Sequence, residues 1–399
     1  MGADQIERYA APVAEVRERG VVVHDTDDVA ARARILRDQH YGVRITYSPK
    51  VFIPVTQLCR DVCHYCTFAK TPSQLASQYL SIDDILETVR SGKRAGCREV
   101  LLTLGEKPEL RYRVAREWLA EAGYVSTVDY LAVVAERIVT ETGLLPHINA
   151  GTMSRAELTQ LRPYAASMGL MLESGAARLC EKGGPHYGSP DKTPWRRWLT
   201  LARAGALQVP MTTGLLVGIG ETREERLQDL RGIRRLHERY GHIQEVIIQN
   251  FCAKAGTKMA GTDNLDIAEM AWTIAQARTI LPLEISVQAP PNLNPGQLGQ
   301  LIDAGINDWG GVSPLTPDYV NPEAPWPSLS ALRAATAERG KQLLPRLTVY
   351  PQYLRETGWV DEAIRPAALE LADADGLARE DDWRAGAPNT PPVAYLRSN

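Results

Sequence analysis

Cysteine is scarce in this chain: there are six in 399 residues, and three of them, Cys97, Cys180 and Cys252, are scattered. So few cannot form the disulfide framework of a secreted scaffold, and a reducing, cytoplasmic setting is expected. Surplus charge is missing too. A formal net charge of -3 offers no basic excess for gripping a phosphate backbone, so nucleic acid is not an expected partner. Long apolar runs are absent as well. The opening MGADQIERYAAPVAEVRERG is charged throughout, unlike a signal peptide, and no stretch approaches the roughly 20 apolar residues of a membrane span. No membrane association is expected. Low-complexity tracts and repeats beyond a strand and helix alternation are also lacking.

What the chain does have is enough apolar material, 44% hydrophobic residues, to bury a large core. Short β-branched runs alternate with longer amphipathic segments, the pattern of βα units around a parallel sheet. Eight strand candidates start near Val51, Glu99, Leu145, Met168, Gln208, Ile243, Leu283 and Ile306. Helix starts stand between them: Ser81 ahead of an acidic first turn, Ser154 with Glu157, and Thr222 with Glu225, the last two as capping boxes. Eight such units over roughly 260 residues suit an eight-stranded (β/α) barrel of the α/β class, although strand counting alone leaves an open doubly wound sheet possible. The expected organisation is an N-terminal helical extension at 1–45, the barrel at 46–312, and a proline-rich loop, helices and a tail at 313–399.

Chemistry in such barrels gathers at the carboxyl ends of the strands. There the sequence places Cys59, Cys63 and Cys66; Gly105 and Glu106; Asn149, Gly151 and Thr152; and Glu173 with Ser174. Further along come Gly218, Gly220 and Glu221; Gln249 and Asn250; Gln288 and Asn292; and Ser313 with Thr316. Any single polar residue at a strand end is as readily a solvated cap as a ligand. Glycines through GLLVGIGE let a ligand approach the backbone, or merely make a tight turn.

The stretch CRDVCHYC holds three cysteines in eight residues. An odd, closely spaced set is not a disulfide framework. A structural zinc needs a fourth ligand, and His64, adjacent to Cys63, is poorly placed to supply it. An iron–sulfur cubane held by three thiolates would leave one iron open to a non-protein ligand.

The spacing Cys59-x3-Cys63-x2-Cys66, with Tyr65 before the last cysteine, resembles the radical S-adenosylmethionine (SAM) superfamily. The resemblance implies a [4Fe-4S] cluster on the three cysteines, with SAM on the open iron. Reductive cleavage of SAM then gives methionine and a 5′-deoxyadenosyl radical that abstracts a substrate hydrogen. It further implies Gly105 and Glu106 at the SAM amino group, Glu173 and Ser174 at ribose and carboxylate, and Gly218, Gly220, Glu221 and Tyr65 near adenine. A low-potential donor such as flavodoxin or ferredoxin would supply the electron.

VFIPVTQLCRDVCHYCTFAK, MGLMLES, GGPHYGSPDK, TTGLLVGIGETREER, HIQEVIIQNF and GGVSPLTPDYVNPEAPWP together resemble the CofG family, over roughly residues 40–345. That family forms one subunit of the synthase of 7,8-didemethyl-8-hydroxy-5-deazariboflavin (FO), the chromophore of coenzyme F-420. The implied activity is a lyase step that closes the deazaflavin ring on an adduct made by a CofH partner, with loss of ammonia. One cysteine cluster in 399 residues leads us to expect a separate partner, as a CofH-like subunit or its diffusible product. Cys252 stands where the family is expected to carry a basic residue. A CofH-like, menaquinone-pathway or biotin-synthase-like enzyme on another polar heterocycle is the nearest alternative, and a zinc-stabilised binding module the remote one.

For a neutral, polyhydroxylated, partly aromatic substrate, the candidate contacts are Asn149, Gln249, Asn250, Gln288 and Asn292, with Trp309 and Tyr187 as possible stacking surfaces. His186 and Lys254 are the candidates for proton transfer, unranked. Cys97, Cys180 and Cys252 are by default small buried side chains.

Overall fold

Eight β-branched runs pair in parallel as one closed ring in the computed structural model, which describes residues 26–380. The strands are β1 (Arg44–Thr56), β2 (Glu99–Leu104), β3 (Leu145–Asn149), β4 (Ser167–Gly169), β5 (Met211–Val217), β6 (Ile243–Asn250), β7 (Ser286–Gln288) and β8 (Asp308–Val312). They follow in order from β2 to β8, then β1, and pairing of β1 with β2 closes the barrel. An open doubly wound sheet is thereby excluded. All seven residues of β5 are buried, as a strand covered on both faces requires.

Two features of the ring depart from expectation. β1 begins at Arg44 rather than near Val51, because its first residues, Arg44 to Tyr47, pair with a ninth strand, β9 (Gln342–Pro345). That strand lies in the segment expected to be only loop and helix. β4 and β7 are also shorter than the runs from Met168 and Leu283 suggested, three residues each. The expected segment before residue 26 and the tail after 380 lie outside the described residues.

The helices are α1 (Thr26–Tyr41), α2 (Ile82–Arg94), α3 (Arg113–Glu121), α4 (Thr127–Thr142), α5 (Arg155–Leu161) and α6 (Pro194–Ala206). After them come α7 (Arg223–Tyr240), α8 (Ile267–Ile280), α9 (Leu298–Ala304), α10 (Leu329–Ala337), α11 (Pro351–Arg355) and α12 (Arg365–Leu371). Their starts follow local chemistry. The Ser81 side chain accepts the Asp84 N–H ahead of α2, and capping boxes form at Ser154 before α5 and Thr222 before α7. α7 stops at Gly241, whose φ of 69° is the left-handed conformation that ends a helix cheaply only at glycine.

Several outer helices bury one face on the barrel, while α1 packs through Val29 and Ala33 against α8. α2 covers Val51 with Ile85, Leu86, Val89 and Gly92, and α7 buries Leu227, Leu230 and Ile233. Full burial of such a side chain contributes about 1.5–3 kcal/mol. Behind β9, the segment through Arg346, Thr348 and Tyr350 crosses the amino-terminal end of the barrel. Arg346 reaches Asp308 at 2.6 Å and Glu245 at 2.8 Å there. No described helix is long and apolar enough to cross a membrane.

Candidate active site

β1 runs out into the cysteine loop, which is pinned on three sides. Lys70 N–H returns to Gln57 O at 2.8 Å, Arg60 N–H to Glu106 O at 2.8 Å, and His64 N–H to Pro185 O at 2.8 Å. Gly105 makes this closeness possible. A Cβ there would overlap the Leu58 carbonyl and stand 2.8 Å from Cys59 Cβ. Cys59, Cys63 and Cys66 are free, partly buried and on the wall of one cavity.

The thiols suit a cluster better than bare solvent. Burial, helped by Asp61, pushes Cys59 up to about 12, and burial likewise pushes Cys63 up. Thiolates there need a metal's positive charge. A single tetrahedral zinc would hold its sulfurs about 3.8 Å apart, from Zn–S bonds near 2.3 Å. Among the described residues, the group of three chelating side chains with ligand atoms within 4.8 Å is instead Asp61, Glu106 and Asp191. Three spread thiols without a fourth fit a cluster with one metal left for an outside ligand.

Two carboxylates face the same space. Glu106 accepts the Thr152 N–H at 2.5 Å and has Arg197 at 3.9 Å. Burial pushes it up to about 7 against the pull of Arg197. Glu173 sits at φ 64°, a left-handed conformation costly for a residue with a side chain and typical of functional sites. It accepts from Tyr65 Oη and Lys192 Nζ, with His186 Nε2 at 3.1 Å and Arg197 at 3.8 Å. Burial works against its charge, but Lys192, His186 and Arg197 more than offset this and hold it well below the usual carboxylate range.

The cavity, about 360 Å³, gathers many of the expected residues: the three cysteines, Tyr65, Gly105, Glu106 and Glu173. Asn149, Gln249, Asn250, Gln288 and Asn292 line it as well, with Lys254 and Trp309. Some of these groups are already engaged. Asn250 donates to Leu293 O at 3.3 Å, Asn292 to Asp318 at 3.0 Å, and Lys254 to Val320 O at 2.5 Å.

Six expected residues do not reach the cavity wall. Glu221 folds back onto its own loop, accepting the N–H groups of Gly218 at 2.8 Å and Ile219 at 2.9 Å, with Arg226 at 2.7 Å. Gly218 and Gly220, at φ 101° and 110°, make the turn that allows this. Ser174 accepts the Ala176 N–H at 3.2 Å and is 1% exposed. His186 lies behind Tyr65, its Nε2 3.0 Å from the phenol oxygen. Tyr187 faces outward, 46% exposed, which removes it as a stacking surface inside the barrel.

Several wall residues went unnoticed in the sequence. Lys192 and Arg197 come from the GGPHYGSPDK loop and α6, away from any strand end. Lys50, Glu99, His147, Glu245 and Arg346 lie at the opposite end of the cavity. Of these, His147 carries a signal, a titratable residue inside an otherwise apolar strand, whereas Glu99 and Glu245 stand at the edges of apolar runs.

Comparison with known proteins agrees with this geometry. The radical SAM superfamily profile matches residues 53–233. The chain is 51% identical over 337 residues to 7,8-didemethyl-8-hydroxy-5-deazariboflavin synthase of Methanopyrus kandleri, covering 84% of this chain and 100% of that protein. It is 49% identical over 385 residues to the FO synthase of Mycobacterium tuberculosis, 94% of this chain but 44% of that protein. The chain therefore spans less than half the length of the FO synthases it matches. In fold it is similar to the hydrogenase maturase HydG of Carboxydothermus hydrogenoformans, with a TM-score of 0.65 at 18% identity over 86% of this chain and 77% of that one. Methylornithine synthase gives 0.60 at 19% identity over 85% and 93%. The chain belongs to the radical SAM superfamily, whose members use a [4Fe-4S] cluster and SAM, and within it to the FO synthase family.

Proposed function

We propose that this chain is the ring-closing, CofG-type unit of FO synthesis, an ammonia-releasing lyase. It would act on the hydroxybenzyl adduct of a ribityliminouracil supplied by a CofH-like partner or as a free intermediate. The observation that carries the reading is the match along the whole length of a deazariboflavin synthase, together with three free thiols opening on one cavity.

When bound, the cluster and SAM supply a reducing electron and a hydrogen-abstracting adenosyl radical. The chain's own residues hold and shield them. Cys59, Cys63 and Cys66 would ligate the cluster. Glu106, held by the Thr152 N–H and hydroxyl, suits an ammonium group, and Lys192 and Arg197 suit a carboxylate. Tyr65 presents an aromatic face fixed through its hydroxyl by Glu173. Ser174, Glu221, Gly218 and Gly220 then act from behind, shaping the loops rather than touching a ligand. Lys254 is the proton-transfer candidate that reaches the cavity; His186 acts through Tyr65. The electron would come from a flavodoxin- or ferredoxin-like donor.

The test is reconstitution under anaerobic conditions. The protein is mixed with a CofH partner, tyrosine, the ribitylaminouracil, SAM and dithionite, beside a known CofG as control. Fluorescent deazaflavin is expected, and Cys63→Ala should form neither deazaflavin nor 5′-deoxyadenosine. A dark wild-type mixture beside a working control would refute the substrate, and 5′-deoxyadenosine from the variant would refute the ligand assignment.

A further inference from the structure

Barrels of this kind normally fill their interior with layers of apolar side chains. This interior is hollow instead. Gly169, Gly310 and Gly311 supply no side chains, and Asn149, Gln288 and Lys50 occupy the space a Cβ would take at each. The resulting cavity runs from the cysteines to a floor of Lys50, Glu99, His147, Glu245, Arg346 and Thr348. Glu99 opens β2, which ends at Leu104, two residues before Glu106, so the strand alone climbs roughly 17 Å between them. The floor thus lies well beyond the groups proposed to hold SAM.

Most floor groups are satisfied by one another. Arg346 bridges Glu245 and Asp308, and His147 Nδ1 meets Ser167 at 2.7 Å and Thr348 at 3.1 Å. One pair is less complete. Glu99 Oε2 accepts the Ser48 hydroxyl, while Oε1 has only the Lys50 ammonium, 2.8 Å away as its ion-pair partner and not aligned as a hydrogen-bond donor. The Lys50 ammonium carries three N–H donors, and Glu99 is the acceptor the fold supplies for it. A charged donor and a charged acceptor therefore stand side by side at the closed end. Buried ions are costly until their hydrogen bonds are completed. Adjacent hydroxyls complete them, since each O–H can donate to a carboxylate while its oxygen accepts from an ammonium. The phenol and the uracil carry isolated donors and acceptors, whereas a run of adjacent hydroxyls can meet both ions at once.

We propose that Lys50 and Glu99 form the subsite for the polyhydroxylated side chain of the substrate, which enters tail first and leaves its ring towards the cysteines. The identity of that side chain as ribityl rests on the function proposed above.

The test is equilibrium binding to the reconstituted, SAM-loaded protein without reductant. The probes are the ribitylaminouracil and its counterpart with a methyl group in place of the ribityl chain. Wild type should favour the ribityl compound by about tenfold or more. Glu99→Gln, close to isosteric, and the pair Lys50→Met with Glu99→Gln, which strands neither charge, should bring the two ligands within about twofold. Affinity for the methyl compound should stay unchanged. A preference that persists in Glu99→Gln overturns the subsite, as does a wild type that fails to discriminate. Equal weakening of both ligands points to a collapsed floor and overturns it too. Deazaflavin formation by wild type judges the functional reading separately, so the two can fail independently.

Discussion

Replacing Gly105 by Ala tests how tightly the cysteine loop is held. The new methyl group would overlap the Leu58 carbonyl oxygen and lie 2.5 Å from its carbon and 2.8 Å from Cys59 Cβ. Carbon atoms pack best at about 3.5–4.0 Å, so either β2 or the loop must retreat by roughly 1 Å. The loop is the softer side, but retreat stretches the bond from Arg60 N–H to Glu106 O, now 2.8 Å, and displaces Cys59. Overpacking of this size costs about 1–3 kcal/mol in stability, and a ligand shift near 1 Å can cost about 100-fold in activity. The expected outcome is a folded protein with lower iron content after anaerobic reconstitution and SAM cleavage reduced by about two orders of magnitude. Gly261, where an added Cβ meets nothing within 4 Å, is the control for an alanine substitution. Wild-type iron loading and SAM cleavage in Gly105→Ala would refute the close-packing argument.

Asp229 binds the Gly175 N–H at 2.8 Å beneath the Glu173 loop, and burial pushes it from 3.8 up to about 7. The folded state therefore keeps a proton that the unfolded chain releases, and this contribution to stability is lost as pH rises from about 4 to about 7. Asp229→Asn should gain on wild type over that window by up to roughly 4 kcal/mol; parallel denaturation curves against pH would contradict this. Arg346→Met removes the cation between Glu245 and Asp308, each under 10% exposed, and should cost about 3–5 kcal/mol in chemical denaturation. A loss below about 1 kcal/mol would mean that the two carboxylates do not need it.

Local chemistry is what the sequence shows best. The boxes at Ser154 and Thr222 each lie within four residues, and they start α5 and α7. The eight barrel strands are readable because covered strands are apolar, but β9 is four residues long and carries no alternation to read. The polar start of β1, RITYSP, concealed a strand because part of it pairs outside the ring. At the site, the cysteines are legible from spacing, and Glu106 and Glu173 from their place after strands. The direction of a side chain is not legible. Glu221 and Ser174 occupy strand ends as Glu106 does, yet bond back to their own loops. The floor stayed hidden because Glu99 and Glu245 look like flanks of apolar runs until the barrel closes and turns them inward.

The closing cation of that floor comes from beyond the eighth strand, which has a consequence for how the chain is made. Glu245 and Asp308 are synthesised before Arg346, so a nascent barrel holds two carboxylates without their counter-ion until the segment behind β9 leaves the ribosome. Stranded buried charges oppose closure. Barrel and C-terminal segment should therefore fold as one cooperative unit, with the ring completed after translation has passed Arg346 rather than strand by strand as it emerges.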